Sequence, residues 1–319
     1  MAQTVAETIR AISRDHVTVD KGLILGQCLT AVGWVGGTVP ELTEDEGIVE
    51  LSMADSSGPG IAVGAALAGR RPIYVIRYQG FLWYNAAPLL NYAAKSKEMW
   101  GVPCPLLIRA IAMEGGIGPV ATGSHHGMVM RMPGLPVCAP MTPNEWRQGW
   151  DFFLQHDDPL FMSEHRKSYA RREEMADQIQ DSAKVTVLAI SAGRLSALEA
   201  TANLQKAGLT CDLFHIVWLK PFAISTEMTA SLKKTGLGVV VDSDYSISGP
   251  ARSIAYELMH KTGAPVHAFG LDDRTAGFAP HLDNVTPTTS RIERKILELL
   301  QGSHQEPIQL GTIETDRGI

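Results

Sequence analysis

Short apolar runs of strand length alternate with longer helical stretches along most of the chain. In residues 50–95 a short apolar piece ends at the acid Asp55, and a small-residue turn leads into a predicted helix over residues 60–69. Residues 73–76 form the next apolar, β-branched run, and a further helix begins at about Phe81. This alternation predicts a parallel sheet, whose ligands bind at the carboxyl ends of the strands. We therefore expect Asp55 and Phe81, which both follow strand ends, to lie at one edge of the sheet.

The same alternation continues through the chain and divides it into two α/β units. The other predicted strands are residues 23–26, 104–109, 134–140 and 160–162 in the first unit, and 185–190, 211–217 and 239–241 in the second. The other predicted helices are residues 4–14, 143–155, 195–207, one near residue 227, and 249–259. We predict one domain over residues 1–170, a polar linker over 171–184, a second domain over 185–305 and a tail over 306–319.

Composition indicates a globular protein and excludes several other classes. The chain has 319 residues, of which 45% are hydrophobic, and a net charge of −6. No basic run suggests nucleic acid or an anionic membrane, and no signal peptide or apolar stretch of membrane length is visible. The four cysteines, Cys28, Cys104, Cys138 and Cys211, are far apart and lack metal-type spacing. We expect reduced thiols, no metal bound by this chain and a cytoplasmic location.

A long glycine-rich loop follows the predicted strand 104–109 and carries adjacent histidines. It spans residues 110–127 and ends in Ser124, His125 and His126. A loop of this length after a parallel strand is usually functional, and histidine can give or take a proton near neutral pH. His125 or His126 is therefore a candidate catalytic residue. Solvent-exposed loop histidines without a role are the alternative.

Residues 55–95 resemble the pyrimidine-binding domain of thiamine diphosphate enzymes. The resemblance rests on the acid followed by GIAVGAALAG, then RPI and a strand, an aromatic residue, and NYAAK. It is specific to the β subunit of the 2-oxo acid dehydrogenase decarboxylating component, with the two-subunit transketolases as close relatives. It implies an α/β fold of two parallel-sheet domains, a transketolase-like pyrimidine-binding domain and a transketolase C-terminal-like domain. It also implies 2-oxo acid decarboxylation with acyl transfer, or ketol transfer.

The resemblance assigns roles to individual residues. In the family, an acid hydrogen-bonds the cofactor's aminopyrimidine and promotes formation of its carbon nucleophile, and Asp55 stands at that position. Phe81 matches the aromatic residue against the pyrimidine face, and Tyr84, Tyr78 or Trp83 could fill the same role. The resemblance places His125 or His126 over the reacting carbon.

Three departures from the family pattern leave alternatives open. Asp55 replaces a Glu, so its backbone sits closer to the cofactor, or activation is weaker, or Asp55 is only a helix N-cap. Gln27 and Cys28 stand where the relatives have an acidic pair. The run from His125 to Pro133 is about one helical turn shorter than in the relatives. A non-catalytic homologue with an assembly or regulatory role would account for all three.

The family's diphosphate motif is missing from the sequence. In the superfamily, magnesium and the diphosphate are held by a Gly-Asp-Gly motif, and this chain contains none. The resemblance therefore implies that an α-type partner subunit holds Mg²⁺ and shares the thiamine diphosphate, in an α₂β₂ heterotetramer.

Overall fold

The computed structural model describes residues 2–302, so the predicted tail over residues 306–319 lies outside the described residues. The helices are α1 Val5–Thr18, α2 Ala31–Gly37, α3 Gly58–Leu67, α4 Leu82–Asn91, α5 Ser96–Trp100, α6 His126–Met130, α7 Pro143–Gln155, α8 Gly193–Lys206, α9 Thr226–Thr235, α10 Pro250–Thr262 and α11 Thr289–Gly302. The strands are β1 Leu23–Gln27, β2 Ile48–Leu51, β3 Pro72–Ile76, β4 Leu107–Ala112, β5 Val137–Cys138, β6 Leu160–His165, β7 Val185–Ile190, β8 Cys211–Ile216, β9 Trp218–Lys220, β10 Gly238–Tyr245 and β11 Val266–Leu271.

The strands form two sheets, both mainly parallel. The first has the order β2-β1-β3-β4-β6-β5-β9, and only its β5–β9 pair is antiparallel. The second has the order β11-β10-β7-β8 and is parallel throughout. Two α/β units with mainly parallel sheets were predicted from the sequence, and this fold class is confirmed. The proposed limits of the domains and of the linker stay predictions.

Alternation along β3 shows how the first sheet is buried on both faces. Tyr74 and Ile76 pack in one apolar cluster with α3 and α4, whereas Ile73 and Val75 pack in another with α1 and α7. Successive strand residues point to opposite faces, so a strand that is apolar at every position needs helices on both sides. The first cluster continues into the second sheet, because it also contains residues of β7, β8 and β10.

Polar contacts also join the two sheets' surroundings. Arg194, at the start of α8, is fully buried and donates two hydrogen bonds to the carboxylate of Glu145 on α7, at 2.5 and 2.8 Å. Glu145 is held by the capping box that begins α7, where Thr142 is the N-cap, as the sequence predicted. A cap that orders one helix therefore also aims the carboxylate that anchors another.

Several predicted boundaries were wrong. The strand predicted to end at Asp55 ends at Leu51, the strand predicted over residues 104–109 is β4, and the one predicted over 134–140 shrinks to the two residues of β5. β9, β11 and α11 were not predicted. α2 has positive φ from Val32 to Gly37, between 54° and 78°, so the predicted glycine-rich loop is a left-handed turn.

Candidate active site

Asp55 lies in the turn that precedes α3, close to the carboxyl ends of β1 and β3. The N-cap residue of α3 is Ser57, so Asp55 does not cap the helix. Gln27, the last residue of β1, donates to Asp55 Oδ1 at 3.3 Å, and Asn85 of α4 donates to the same oxygen at 3.1 Å. Within residues 2–302, no donor reaches Asp55 Oδ2. One carboxylate oxygen is thus fixed and the other is available to a ligand.

Tyr74 and Phe81 fix the amide of Asn85 that faces Asp55. The Tyr74 hydroxyl donates to Asn85 Oδ1 at 2.7 Å, and Asn85 Nδ2 also donates to the Phe81 carbonyl at 2.9 Å. Burial, and secondarily the charge of Asp55, raise the pKa of Tyr74, so its hydroxyl stays protonated and remains a donor. Sequence reasoning missed Asn85; its position four residues after Phe81, on the same face of a helix, was the available signal.

A cavity of about 310 Å³ opens at this edge of the first sheet. Asp55, Phe81, Gln27, Tyr74 and Tyr78 line it, together with Cys28, Ala31, Met53, Val75, Ile76 and Arg77. Asp55 and Phe81 therefore meet at one edge, as expected from the strand pattern.

The other candidates named from the sequence lie outside this cavity. Tyr84 is exposed on the outer face of α4, and its predicted contact with the cofactor stays a prediction. Glu50 points away from the cavity and accepts hydrogen bonds from the backbone N–H and hydroxyl of Thr30, at 3.2 and 2.8 Å.

His125 lines a second, larger cavity of about 650 Å³ on the other side of α4. Trp83, Ala86 and Leu90, spaced three and four residues apart on α4, form one wall, and Tyr245 lies opposite. The His125 backbone N–H donates to Gln79 Oε1 at 2.7 Å, which ties the histidine loop to the turn before α4. Burial lowers the pKa of His125, so its ring is neutral near pH 7 and can give or accept a proton.

His126, the other predicted catalytic histidine, is fully buried where the two sheets meet. Its Nδ1 lies 2.8 Å from the Ser163 hydroxyl of β6, and its Nε2 lies 3.0 Å from Asp242 Oδ1 of β10. Burial lowers the pKa of His126, but the adjacent carboxylate of Asp242, with that of Asp244, more than offsets this and raises it overall. Both ring nitrogens are thus engaged inside the protein, which corrects the expectation of a loop histidine that reaches solvent.

Gln79 and Ser163 connect the two histidines. Gln79 Nε2 donates to the Ser163 hydroxyl at 2.8 Å and to the Ala110 carbonyl at 3.0 Å. A continuous chain of hydrogen bonds therefore runs from Asp242 through His126, Ser163 and Gln79 to the backbone of His125. Nothing in the local sequence pattern indicated it, because its members come from five separate segments.

Comparisons with known proteins agree with this architecture. The model of the transketolase pyrimidine-binding domain matches residues 31–172, and that of the transketolase C-terminal domain matches residues 174–292. The pyruvate dehydrogenase E1 component subunit beta of Rickettsia bellii is 25% identical over 309 residues, covering 89% of this chain and 94% of that protein. The acetoin:2,6-dichlorophenolindophenol oxidoreductase subunit beta of Cupriavidus necator is 29% identical over 228 residues, or 66% of this chain and 65% of that protein.

Solved structures show the same fold at lower identity. A split-gene transketolase, described as an inactive beta4 tetramer, superposes with a TM-score of 0.68 at 17% identity, covering 94% of this chain and 99% of that one. Transketolase from Campylobacter jejuni superposes with a TM-score of 0.69 at 18% identity, covering 93% of this chain but 47% of that one.

Proposed function

Because this chain belongs to the family of proteins that combine the transketolase pyrimidine-binding and C-terminal domains, we propose that it is one subunit of a heteromeric thiamine diphosphate-dependent enzyme. Its reaction is 2-oxo acid decarboxylation with acyl transfer, or ketol transfer. The observation that carries the proposal is the free Oδ2 of Asp55 in a cavity that Phe81 also lines. The relatives named above are β subunits, which supports a two-chain enzyme.

The residues around Asp55 fit one end of the cofactor. A volume of about 310 Å³ lies at the small end of the range for ligand pockets, ~300–1,000 Å³, and suits a single ring better than a whole dinucleotide-sized molecule. Asp55 Oδ2 would hold a ring nitrogen of the aminopyrimidine, and Phe81 would contact its face. When bound, thiamine diphosphate supplies the carbon nucleophile that adds to the substrate carbonyl. Gln27 and Asn85 keep the Asp55 carboxylate in one orientation.

His125 is the proposed proton donor and acceptor toward the substrate. It is the histidine of the pair that lines a cavity, and its neutral ring is suited to proton transfer near pH 7. We assign His126 a positioning role instead, since its bonds to Ser163 and Asp242 hold the loop that carries His125.

The partner in this proposal is an α-type subunit that carries the diphosphate and Mg²⁺ site, in an α₂β₂ assembly. Two observations support it: the sequence has no Gly-Asp-Gly motif, and the chain matches about half of a single-chain transketolase. In the part of the chain that the structure describes, no helix could cross a membrane. The cytoplasmic location expected from the sequence stays a prediction.

A non-catalytic homologue with an assembly or regulatory role is the second candidate. The specific observation in its favour is the replacement of the family's Glu by Asp55, whose Oδ1 is already bonded by two amides. This arrangement is stable without any ligand.

Calorimetric titration with thiamine diphosphate and Mg²⁺ tests the proposal, first on this chain alone and then on its mixture with the α-type subunit from the same organism. We expect binding in the mixture and weak or no binding to the chain alone. Asp55→Asn should weaken binding in the mixture at least tenfold, whereas Asp45→Asn, an exposed acid away from both cavities, should not. Absence of binding in the mixture would contradict the enzyme proposal and favour the scaffold.

Asp55→Glu separates the two candidates further. A catalytic subunit should retain or gain turnover in the mixture, because the longer side chain restores the family's reach. A scaffold should show no turnover with either residue.

A further inference from the structure

Two arginines without a counter-charge flank β4 at the ligand-binding edge of the first sheet. Arg77 follows the last residue of β3 and Arg166 follows the last residue of β6, and the strand order places β4 between them. Ligands of parallel sheets bind at this edge. Neither residue is part of the Asp55 or histidine networks described above.

Register places both side chains on the same face of the sheet. Val75 pairs with Arg109, and Arg109 pairs with Met162, so Arg77 is level with Ile111 and Arg166 with Met113. Residues an even number of positions apart share a face, and neighbouring strands lie ~4.8 Å apart, so the two backbones are roughly 12 Å apart along a diagonal. Arginine side chains can close that gap. Both indeed line one narrow crevice, with Met113 and Tyr169 between them.

Each guanidinium group has weak partners within the described chain. Arg77 donates one hydrogen bond, to the Cys28 carbonyl at 2.5 Å, and Arg166 contacts the Met113 sulfur at 3.6 Å. Among residues 2–302, neither forms an ion pair. Neighbouring basic residues differ in this respect, since Arg109 pairs with Glu164 and Lys167 with Glu114. Most of the donors of two fork-shaped cations thus remain available, the arrangement that recognises an oxyanion.

The position of Asp55 decides where an anion would lie. Arg77 lines both the crevice and the 310 Å³ cavity, whereas Asp55 lines only the cavity. A carboxylate repels an anion, so the anion would sit on the Arg166 side, beside the proposed aminopyrimidine site and outside it.

We propose that Arg77 and Arg166 bind an acidic substituent of the substrate that is not itself the reacting group. With the proposed function, on which this inference rests, the substrate class is a 2-oxo acid or ketose that carries an additional carboxylate, sulfonate or phosphoryl group. Fixed at the crevice, that group would orient the substrate's carbonyl toward the shared site.

Sulfate is the probe for the anion site itself, because it needs neither cofactor nor partner. We would titrate the full chain with sodium sulfate at constant ionic strength and measure binding by calorimetry. Saturable binding is expected, weakened about tenfold or more in Arg77→Met and in Arg166→Met, since a hydrogen bond to a charged group contributes roughly that factor. Arg77→Lys, which keeps the charge, should retain part of it. Arg252→Met, an exposed arginine on α10, is the matched control and should bind like the unaltered chain.

Turnover in the mixture with the α-type subunit then tests the substrate class. The ratio of kcat/KM for a 2-oxo acid with a second acidic group to that for its neutral analogue should fall at least tenfold in Arg77→Met and Arg166→Met. Equal losses for both substrates, or sulfate binding that is unsaturable or equally weakened in Arg252→Met, would overturn the inference. Thiamine diphosphate binding, measured on the same preparations, fails separately: its absence with sulfate binding intact would reject the proposed function and leave the anion site standing.

Discussion

His165 should make the protein lose stability in mild acid. It is the last residue of β6 and fully buried; its Nδ1 accepts a hydrogen bond from the Lys167 backbone N–H at 3.2 Å, and its Nε2 has no partner among the described residues. Protonation would break the first bond and place a charge beside Lys167 in a dry site. Burial, partly opposed by the charge of Glu114, therefore lowers the pKa of His165 from 6.5 to about 4.

The two pKa values of His165 set the magnitude and the sign. The folded state binds the proton less well than the unfolded state, so stability is complete above pH 6.5 and is lost as the pH falls toward 4. At about pH 5 the unfolded chain gains from roughly 1.5 pKa units of protonation, which at ~1.4 kcal/mol per unit is about 2 kcal/mol. For a chain of this length, with ~2.1 cal/mol/K per residue of unfolding entropy, that corresponds to a Tm decrease of about 3 °C.

Urea unfolding at about pH 7 and about pH 5, followed by circular dichroism, measures this loss. His165→Gln removes the titrating group, so the variant should lose about 2 kcal/mol less than the unaltered chain between the two pH values. His260→Gln, at an exposed site on α10, should behave like the unaltered chain. An equal loss in the unaltered chain and in His165→Gln would refute the reasoning that assigns it to this side chain.

Two further predictions concern the packing that supports the site. Arg109→Met should lower the free energy of unfolding by about 3–5 kcal/mol, because it strands the buried carboxylate of Glu164, and adding Glu164→Leu should recover most of the loss in the same urea titration. Gly80→Ala should cost about 1–3 kcal/mol, because its Cβ would lie 1.7 Å from the Val120 carbonyl oxygen and push the histidine loop away. Gly60→Ala, where a Cβ meets open space within a helix, should instead be neutral or stabilising by up to ~1 kcal/mol, and a loss there equal to that of Gly80→Ala would contradict the steric argument.

The sequence determined the order and type of most elements of this protein. Apolar runs such as residues 73–76 can be buried only as strands covered on both faces, and the capping residues around Thr142 predict where α7 begins. Asp55 and Phe81 could be placed at one sheet edge because each follows a strand at short range. Local patterns were weaker at boundaries, which is why β5 is shorter than predicted and β11 was missed.

Only the tertiary structure decided what surrounds those residues. The amides of Gln27 and Asn85 reach Asp55 from β1 and α4, and Asp242 reaches His126 from the second sheet, across 116 positions of sequence. The two adjacent histidines were indistinguishable in the sequence, yet one lines a cavity and the other is enclosed. The physical reason is that hydrogen-bond partners and burial follow from strand order and helix packing, which join segments that are distant in the chain and carry no local periodic signal.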